Sequence, residues 1–353
     1  MKKTYHPGKL NHRESLRRAY SNPQITFMNQ HSIFKEKIKL SVIVLFYYGE
    51  RWVKTCIDSL ENQSLSRASY EIILVDNGGS TPSIQKFSGQ PHTKVLTYPQ
   101  NLGFAGGNNQ ALSHADGELV LLMNQDVVVH HACLHEIVTA FELAPRAGVV
   151  SANMLMLSQN DSVSQDGPLS EITGQYKLTR LGYAQYFTRE TSNDLIPVDF
   201  VSGNALCFRR GMLKDVGNFL FDVRLGSYAE DLDLSLRLKQ TAWDMLVHPH
   251  ALVYHYRDDA FAGNPIYQLR KLLHVSSNRL VVYYNNLPLS AFLLKLPALI
   301  LGIPLKVARP DGAPRFNFFN FLVALGCVPM IVVYLGLRIY QLKKTPPSSG
   351  GAA

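Results

Sequence analysis

The sequence predicts an α/β protein built on a doubly wound, mostly parallel sheet flanked by helices. Three observations carry that expectation. Near-continuous apolar runs recur at 40–46, 71–76, 94–98 and 118–123, as strands covered on both faces require. Helical patterns fall between them, the alternation of a parallel α/β sheet. A chain of 353 residues, 46% of them apolar, can also bury one large core.

The elements follow in order. Residues 1–38 lack hydrophobic periodicity and read as a basic arm. Leu40-Ser-Val-Ile-Val-Leu-Phe46 is the first buried strand. Trp52–Asn62 reads as a helix with Val53, Cys56, Ile57 and Leu60 on one face. Glu71–Asp76 is a second strand, ended by Asn77-Gly78-Gly79-Ser80, and Lys94–Tyr98 is a third. The Gly/Asn-rich segment Asn101–Asn109 leads into a short helix through Ala111 and Leu112. Glu118–Met123 is a fourth strand, followed by a helix near Leu134–Leu143 and a strand at Gly148–Met154. Ser158–Pro197 is polar and weakly patterned and reads as a loop or lid. Val198–Arg209 returns to strand character. Glu230–Gln240 carries leucines at 232, 234, 236 and 238, an alternation that suits a strand. Its acidic start and basic end favour a helix.

Two apolar stretches close the chain. Leu287–Val307 is broken by Pro288, Pro297 and Pro304. Phe316–Leu337 runs 22 residues without a charge, long enough to cross a bilayer. Basic residues flank it on both sides, so the positive-inside rule leaves its orientation open. It spans, re-enters, lies in the interface, or is a buried core helix. The expected divisions are the arm at 1–38, a main domain at 39–286, a membrane-associated segment at 287–345 and a flexible tail at 346–353.

Charge is uneven. Residues 1–39 carry nine Lys/Arg against two Glu, and 290–353 carry seven against one Asp. The whole is +8, so the middle is mildly acidic. That argues against a nucleic-acid-binding surface over the body and fits ends that meet an anionic membrane. Cys56, Cys133, Cys207 and Cys327 are scattered, with no C-x-x-C pair, and no apolar leader opens the chain. They read as reduced thiols of a cytoplasmic protein, and their spacing speaks against zinc.

Ligands of such sheets sit beyond the carboxyl ends of the strands. Asp76 and Asp126 both lie just past such ends. Phe46-Tyr47-Tyr48-Gly49-Glu50 is not a dinucleotide fingerprint, and no P-loop motif is present. The glycines of Gly103-Phe-Ala-Gly-Gly107 either let backbone approach a ligand or make a turn. Asn124-Gln125-Asp126 looks like a D-x-D element whose first acid is replaced. A hard divalent cation takes such an oxygen and also accepts a neutral imidazole. His255 is the candidate partner, with His248 and His250 as competitors. Glu230 and Asp231 either answer the dipole of a helix N-terminus or supply a general base.

Taken together, SVIVLFYYGE at 41–50, EIILVDNGGS at 71–80, NLGFAGGNNQAL at 101–112, LLMNQDVVV at 121–129 and VSGNALCFRR through SYAEDLDLSLRLK to HPHALVYHY carry a resemblance. Over about residues 40–285 the chain resembles family 2 glycosyltransferases of GT-A fold, in particular the bacterial rhamnosyltransferase-like branch. The resemblance implies that Tyr47 stacks on the donor nucleobase and that Asp76 hydrogen-bonds base or ribose. Glu50, Asn101, Gly103, Asn124 and Gly203 border the donor. Asp126 and His255 hold Mg²⁺ or Mn²⁺. Asp231 is the base that deprotonates the acceptor, with Glu230 in support and Asp233 toward the acceptor. The implied partners are a nucleoside-diphosphate sugar, dTDP-rhamnose before UDP-sugars, and a polyprenyl-diphosphate-linked glycan at the cytoplasmic face of the inner membrane. The chain departs from the pattern in Asn124 and in Ser80-Thr81, which no Asp follows. It also has no Q-x-x-R-W element, which disfavours a processive synthase. A nucleotidyltransferase and a catalytically inert sugar-nucleotide-binding scaffold are the competing readings.

Overall fold

The computed structural model describes residues 38–157, 171–190, 194–256, 265–308 and 315–344. Nearly all of the expected basic arm, and the expected tail, lie outside these residues.

One nine-stranded sheet organises the chain. It comprises β1 (Leu40–Phe46), β2 (Tyr70–Asn77), β3 (Thr93–Tyr98), β4 (Leu119–Asn124), β5 (Val127–Val129), β6 (Ala147–Leu157), β9 (Ile196–Pro197), β10 (Ala205–Arg209) and β11 (Asp244–Tyr256). The order is β3-β2-β1-β4-β10-β6-β11-β5, with β9 also on β11. β1, β2, β3 and β4 pair in parallel. β10 runs against β4 and β6, and β5 and β9 run against β11. The expected mostly parallel sheet is therefore present, with three short strands reversed.

Helices cover both faces. In β1, Leu40, Val42, Val44 and Phe46 join one core with α1 (Val53–Glu61) and α3 (Cys133–Leu143). Ile43 and Leu45 join the opposite core with α2 (Gly103–Leu112) and α4 (Glu230–Leu238). This two-sided burial is why β1 reads as an unbroken apolar run. Cys56, Cys133 and Cys207 are buried free thiols and Cys327 is partly exposed.

The alternating leucines resolve into two helical faces. Leu234 and Leu238 pack toward the sheet. Leu232 and Leu236 pack on a third cluster built by the C-terminal helices. Each pair is spaced i, i+4, so a helix buried on two sides produces an alternation that looks strand-like.

Four expectations are corrected. First, β7 (Glu171–Leu178) and β8 (Ala184–Glu190) form an antiparallel hairpin where a loop or lid was expected; a two-stranded ribbon off the main sheet needs no continuous apolar run. Second, α2 begins at Gly103, so the Gly/Asn-rich segment is mostly helical rather than a lead-in. Third, α5 (Pro265–Asn286) had no counterpart in the sequence reading. Fourth, α6 (Leu289–Ala308) runs through Pro297 and Pro304. A proline removes one helix hydrogen bond and crowds the preceding turn. Here packing overrides that cost, and Arg279 of α5 donates to Leu299 O between the two prolines at 2.6 Å.

The last helix, α7 (Phe318–Lys344), completes the fold. α6 and α7 are each long and apolar enough to cross a membrane. Only 17% of the apolar 18-residue window within Phe318–Tyr340 is buried, so the protein itself does not cover this helix. Phe318, Phe319, Leu322 and Val333 stand exposed along it.

Candidate active site

The loops at the carboxyl ends of β1, β2 and β4 are tied into one surface. Asp76 Oδ1, fully buried, accepts from Ser80 N at 2.8 Å and Thr81 N at 3.1 Å. Ser80 and Thr81 then accept from the backbone of Tyr48 and Gly49. Glu50 Oε1 accepts from Ser83 N at 3.1 Å, and the bonding to Ser83 holds its carboxyl below the ordinary range. Gln125 grips Tyr47 from both sides: Oε1 accepts from Tyr47 N at 2.8 Å and Nε2 donates to Tyr47 O at 3.2 Å. The Tyr47 ring is left half exposed, edge-on to Tyr48. A flat aromatic face on a fixed backbone suits a nucleobase. Nothing local in the sequence singles out Gln125, because its contacts depend on how the β1 and β4 loops meet.

Asn101 Oδ1 accepts from Asn77 Nδ2 and Gly103 N. Gly103 has φ +72°, and a Cβ there would lie 2.7 Å from Gly226 O. The close approach that this glycine permits is therefore to the chain's own 226–229 loop. Ala105 N donates to Gly226 O and Phe104 N to Ser227 Oγ, so that loop is fastened to the start of α2.

Strand pairing unites the two candidate metal ligands. β11 meets β5 with His255 opposite Val127, and Tyr256 N donates to Asp126 O at 2.9 Å. His255 Nε2 then stands 3.2 Å from Asp126 Oδ1, both side chains largely buried. The contact is not aligned as a hydrogen bond: Asp126 Oδ1 and His255 Nδ1 are both buried without a hydrogen-bond partner. A buried carboxylate oxygen with no donor is costly, and a divalent cation held between it and the imidazole would satisfy that oxygen. Among the described residues no group of three or more His, Cys, Asp or Glu is gathered to hold a metal. The pair therefore fits a cation that takes its other ligands from substrate and water. The competitor His248 is instead paired with Glu136 of α3 at 3.1 Å.

A cleft of about 430 Å³ lies beside Asn124, Gly203 and Asn204 and is walled by Tyr228, Glu230, Asp231 and the turn of the β7–β8 hairpin. Asn124 is bound to Asn204 by backbone and side chain. Asp231 Oδ2 accepts from Gly203 N at 3.3 Å and Oδ1 from Leu232 N at 2.8 Å. Burial raises its carboxyl to about 6. Glu230 is more deeply buried, next to Asp231, and is pushed well above the carboxylate range by desolvation and then by that neighbour. Its Oε2 has no hydrogen-bond partner. Asp233 has both oxygens engaged: Arg237 Nε donates at 2.8 Å and Asn286 Nδ2 at 2.8 Å. The structure thus gathers Asn124, Gly203, Glu230 and Asp231 in one cleft, joins Asp126 to His255, and buries Asp233 in the scaffold.

The sequence reading missed Tyr183, Arg279 and Lys306, which also line the cleft. They come from the hairpin and C-terminal helices, and only their tertiary packing reveals them.

A family model for glycosyl transferase family 2 matches residues 41–217, half of the chain. The chain is 28% identical over 228 residues to the O-antigen biosynthesis protein RfbC of Myxococcus xanthus, covering 60% of this chain and 17% of that protein. It is 25% identical over 219 residues to the N-acetylglucosaminyl-diphospho-decaprenol L-rhamnosyltransferase of Mycobacterium tuberculosis, covering 55% of this chain and 69% of that one. The fold matches the crystal structure of GalNAc-T7 with UDP, GalNAc and Mn²⁺ at a TM-score of 0.58, over 85% of this chain and 57% of that chain. At 13% identity that likeness is one of fold.

Proposed function

The chain belongs to glycosyl transferase family 2, and from that premise we propose that it is an inverting, metal-assisted transferase of a nucleotide-linked sugar to a lipid-linked glycan. The observation that carries this reading is the cleft at Asp231. A carboxyl raised to about 6 by burial is poised to take a proton near neutrality. The Asp126–His255 pair supports the donor end of the site.

The geometry supports the following roles. Tyr47 presents its face to the nucleobase, and Asp76 holds the loop beneath it. Asn124 and Gly203 border the sugar. Asp126 and His255 would hold Mg²⁺ or Mn²⁺, which when bound offsets the charge growing on the departing diphosphate. Asp231 accepts the proton of the acceptor hydroxyl as that oxygen attacks the anomeric carbon from the face opposite the diphosphate. One displacement inverts the configuration, and holding both reactants in line supplies much of the rate. Glu230, pushed well above the carboxylate range by burial and by Asp231, favours its neutral form and so limits the negative charge at the base. Asp233 serves the scaffold through Arg237.

The donor we favour is dTDP-L-rhamnose, with UDP-sugars next, and the acceptor a polyprenyl-diphosphate glycan of bacterial surface polysaccharide assembly. Support comes from the similarity to a decaprenol-linked rhamnosyltransferase and from the exposed apolar helix α7. Attraction of the basic chain ends to an anionic membrane surface supports the cytoplasmic leaflet as the enzyme's place of work.

The test is thermal stabilisation of the detergent-purified protein by dTDP-, UDP- and GDP-sugars, with and without Mn²⁺, beside Asp126→Ala. A Mn²⁺-dependent shift with one nucleotide, lost in the variant, is expected. No shift with any nucleotide would overturn the transferase reading.

A further inference from the structure

A second cavity, of about 460 Å³, opens between α5, α6 and α7. Its walls are mainly apolar, with Leu269, Leu272, Val307, Val323 and Cys327 among them. Tyr183, Val275 and Lys306 line both this cavity and the catalytic cleft, so the two share one wall. The distant side is formed by α7, the helix whose outer face the protein leaves bare.

Charge marks the junction. Lys306 stands with its ammonium 5.8 Å from the Tyr183 ring, and Lys271 with its ammonium 5.5 Å from the ring of Tyr228, a residue of the catalytic cleft. Lys271 and Lys306 both line the apolar cavity, and no Asp or Glu is among the described residues that do. An apolar trough that ends in two cations, beside a general base, is complementary to an amphiphile with an anionic head. Detergent-like or neutral lipid chemistry would not call for the two lysines.

We propose that this trough is the acceptor-lipid subsite. The polyprenyl chain lies between α5 and α7, its diphosphate meets Lys271 and Lys306, and the glycan beyond the diphosphate enters the cleft before Asp231. The proposal rests on the reading of the acceptor as a lipid-linked glycan and assigns that acceptor to particular residues. The cations act as point charges on phosphate, while the chain is held by removing apolar surface from water. Entry from the bilayer along α7 explains why an enzyme of a surface glycan carries an uncovered apolar helix next to its acceptor cleft.

The experiment uses the full chain in detergent and measures equilibrium binding of labelled undecaprenyl diphosphate. Undecaprenol, inorganic diphosphate and phosphatidylglycerol serve as competitors. Two variants are compared with wild type: Cys327→Trp, which fills the trough from α7, and Lys271→Gln, which removes charge from a residue that lines the trough and not the catalytic cleft. Donor-induced thermal stabilisation is followed in each as a check that the catalytic domain is folded. The expected result is saturable binding, with each half-molecule competing at least about tenfold more weakly than the whole, and with each variant weakened about tenfold, one charge-assisted or apolar contact's worth. Donor stabilisation stays as in wild type. Equal competition by phosphatidylglycerol would make the trough a general bilayer-lipid contact and overturn the proposal. So would undiminished binding in both variants. Absence of polyprenyl diphosphate binding with donor stabilisation intact would overturn this subsite alone. Loss of donor stabilisation in wild type would instead strike the transferase reading.

Discussion

Arg338, near the end of α7, donates a hydrogen bond of 2.8 Å to Asn278 Oδ1 on α5. Asn278 Nδ2 in turn donates to the carbonyls of Leu225, Ser227 and Tyr228 at 2.8–3.0 Å. That loop leads directly into Glu230 and Asp231, and it contains two consecutive non-glycine residues with left-handed backbone, Tyr228 at φ 71° and Ala229 at φ 69°. Such conformations persist only where the surroundings over-determine them. The apolar C-terminal helix is therefore linked by two side chains to the loop that aims the candidate base.

Removing this clamp should loosen the base more than the donor site. Asn278→Ala leaves three carbonyls without their donor and should destabilise the fold by about 1–3 kcal/mol. Denaturant unfolding measures that loss. Steady-state kinetics should show a fall in kcat with little change in the donor KM. Arg338→Met should act in the same direction and more weakly, because Asn278 keeps its own three contacts.

Glu230 makes stability depend on pH in a definite sense. Its carboxyl is raised well above 4.5 in the folded state, so the fold favours the protonated form. The stabilisation by that proton is complete below the ordinary carboxylate range and is lost as pH rises through the raised value. Glu230→Gln removes the penalty. Thermal melts should show the variant more stable than wild type at neutral pH, with the difference vanishing in acid. A wild type that is the more stable of the two at neutral pH would contradict the assignment.

Asp233 should behave as a structural residue. Arg237, mostly buried, donates to the carbonyls of Val216, Phe219 and Leu220 as well as to Asp233. Asp233→Ala strands that guanidinium without its counter-ion and should cost about 3–5 kcal/mol. If the variant keeps full stability and loses only acceptor affinity, Asp233 belongs to the acceptor site.

Membrane attachment should reside in the exposed face of α7. Phe318 and Phe319 are 64% and 73% exposed. Replacing both with Asp should abolish co-flotation with phosphatidylglycerol vesicles, while the folding free energy moves by no more than about 0.5 kcal/mol per site. Co-flotation as strong as wild type would place the attachment elsewhere.

Much of the sheet was legible because doubly covered strands such as β1, β2 and β4 leave continuous apolar runs. Helix α4 was ambiguous for the opposite reason: burial on two sides gave its leucines a period of two. Helix α5 was invisible because half of its buried stretch, 276–283, is polar, with residues such as Asn278 and Arg279 whose partners lie in distant segments. Prolines 297 and 304 suggested breaks that packing removes. At the site, Asp76 and Asp126 were marked by their place after strands. The nearness of His255 to Asp126 was not written locally, since it depends on the register of β11 against β5 and on the bulge between His248 and Leu252. Gln125, Tyr183 and Lys306 lacked any local signal, because their roles exist only once loops and helices have met.

We assign Asp231 as the base of a sugar transfer. That role is tested most directly by incubating full-length protein with the nucleotide sugar that stabilises it, Mn²⁺ and a polyprenyl-diphosphate glycan, and weighing the lipid product over a series of pH values. The expected result is a mass gain of one sugar, a wild-type rate that climbs with pH through about 6 as Asp231 loses its proton, and a rate about 10²–10⁴-fold lower in Asp231→Asn with donor binding retained. Transfer by Asp231→Asn at the wild-type rate, with the same pH dependence, would contradict it.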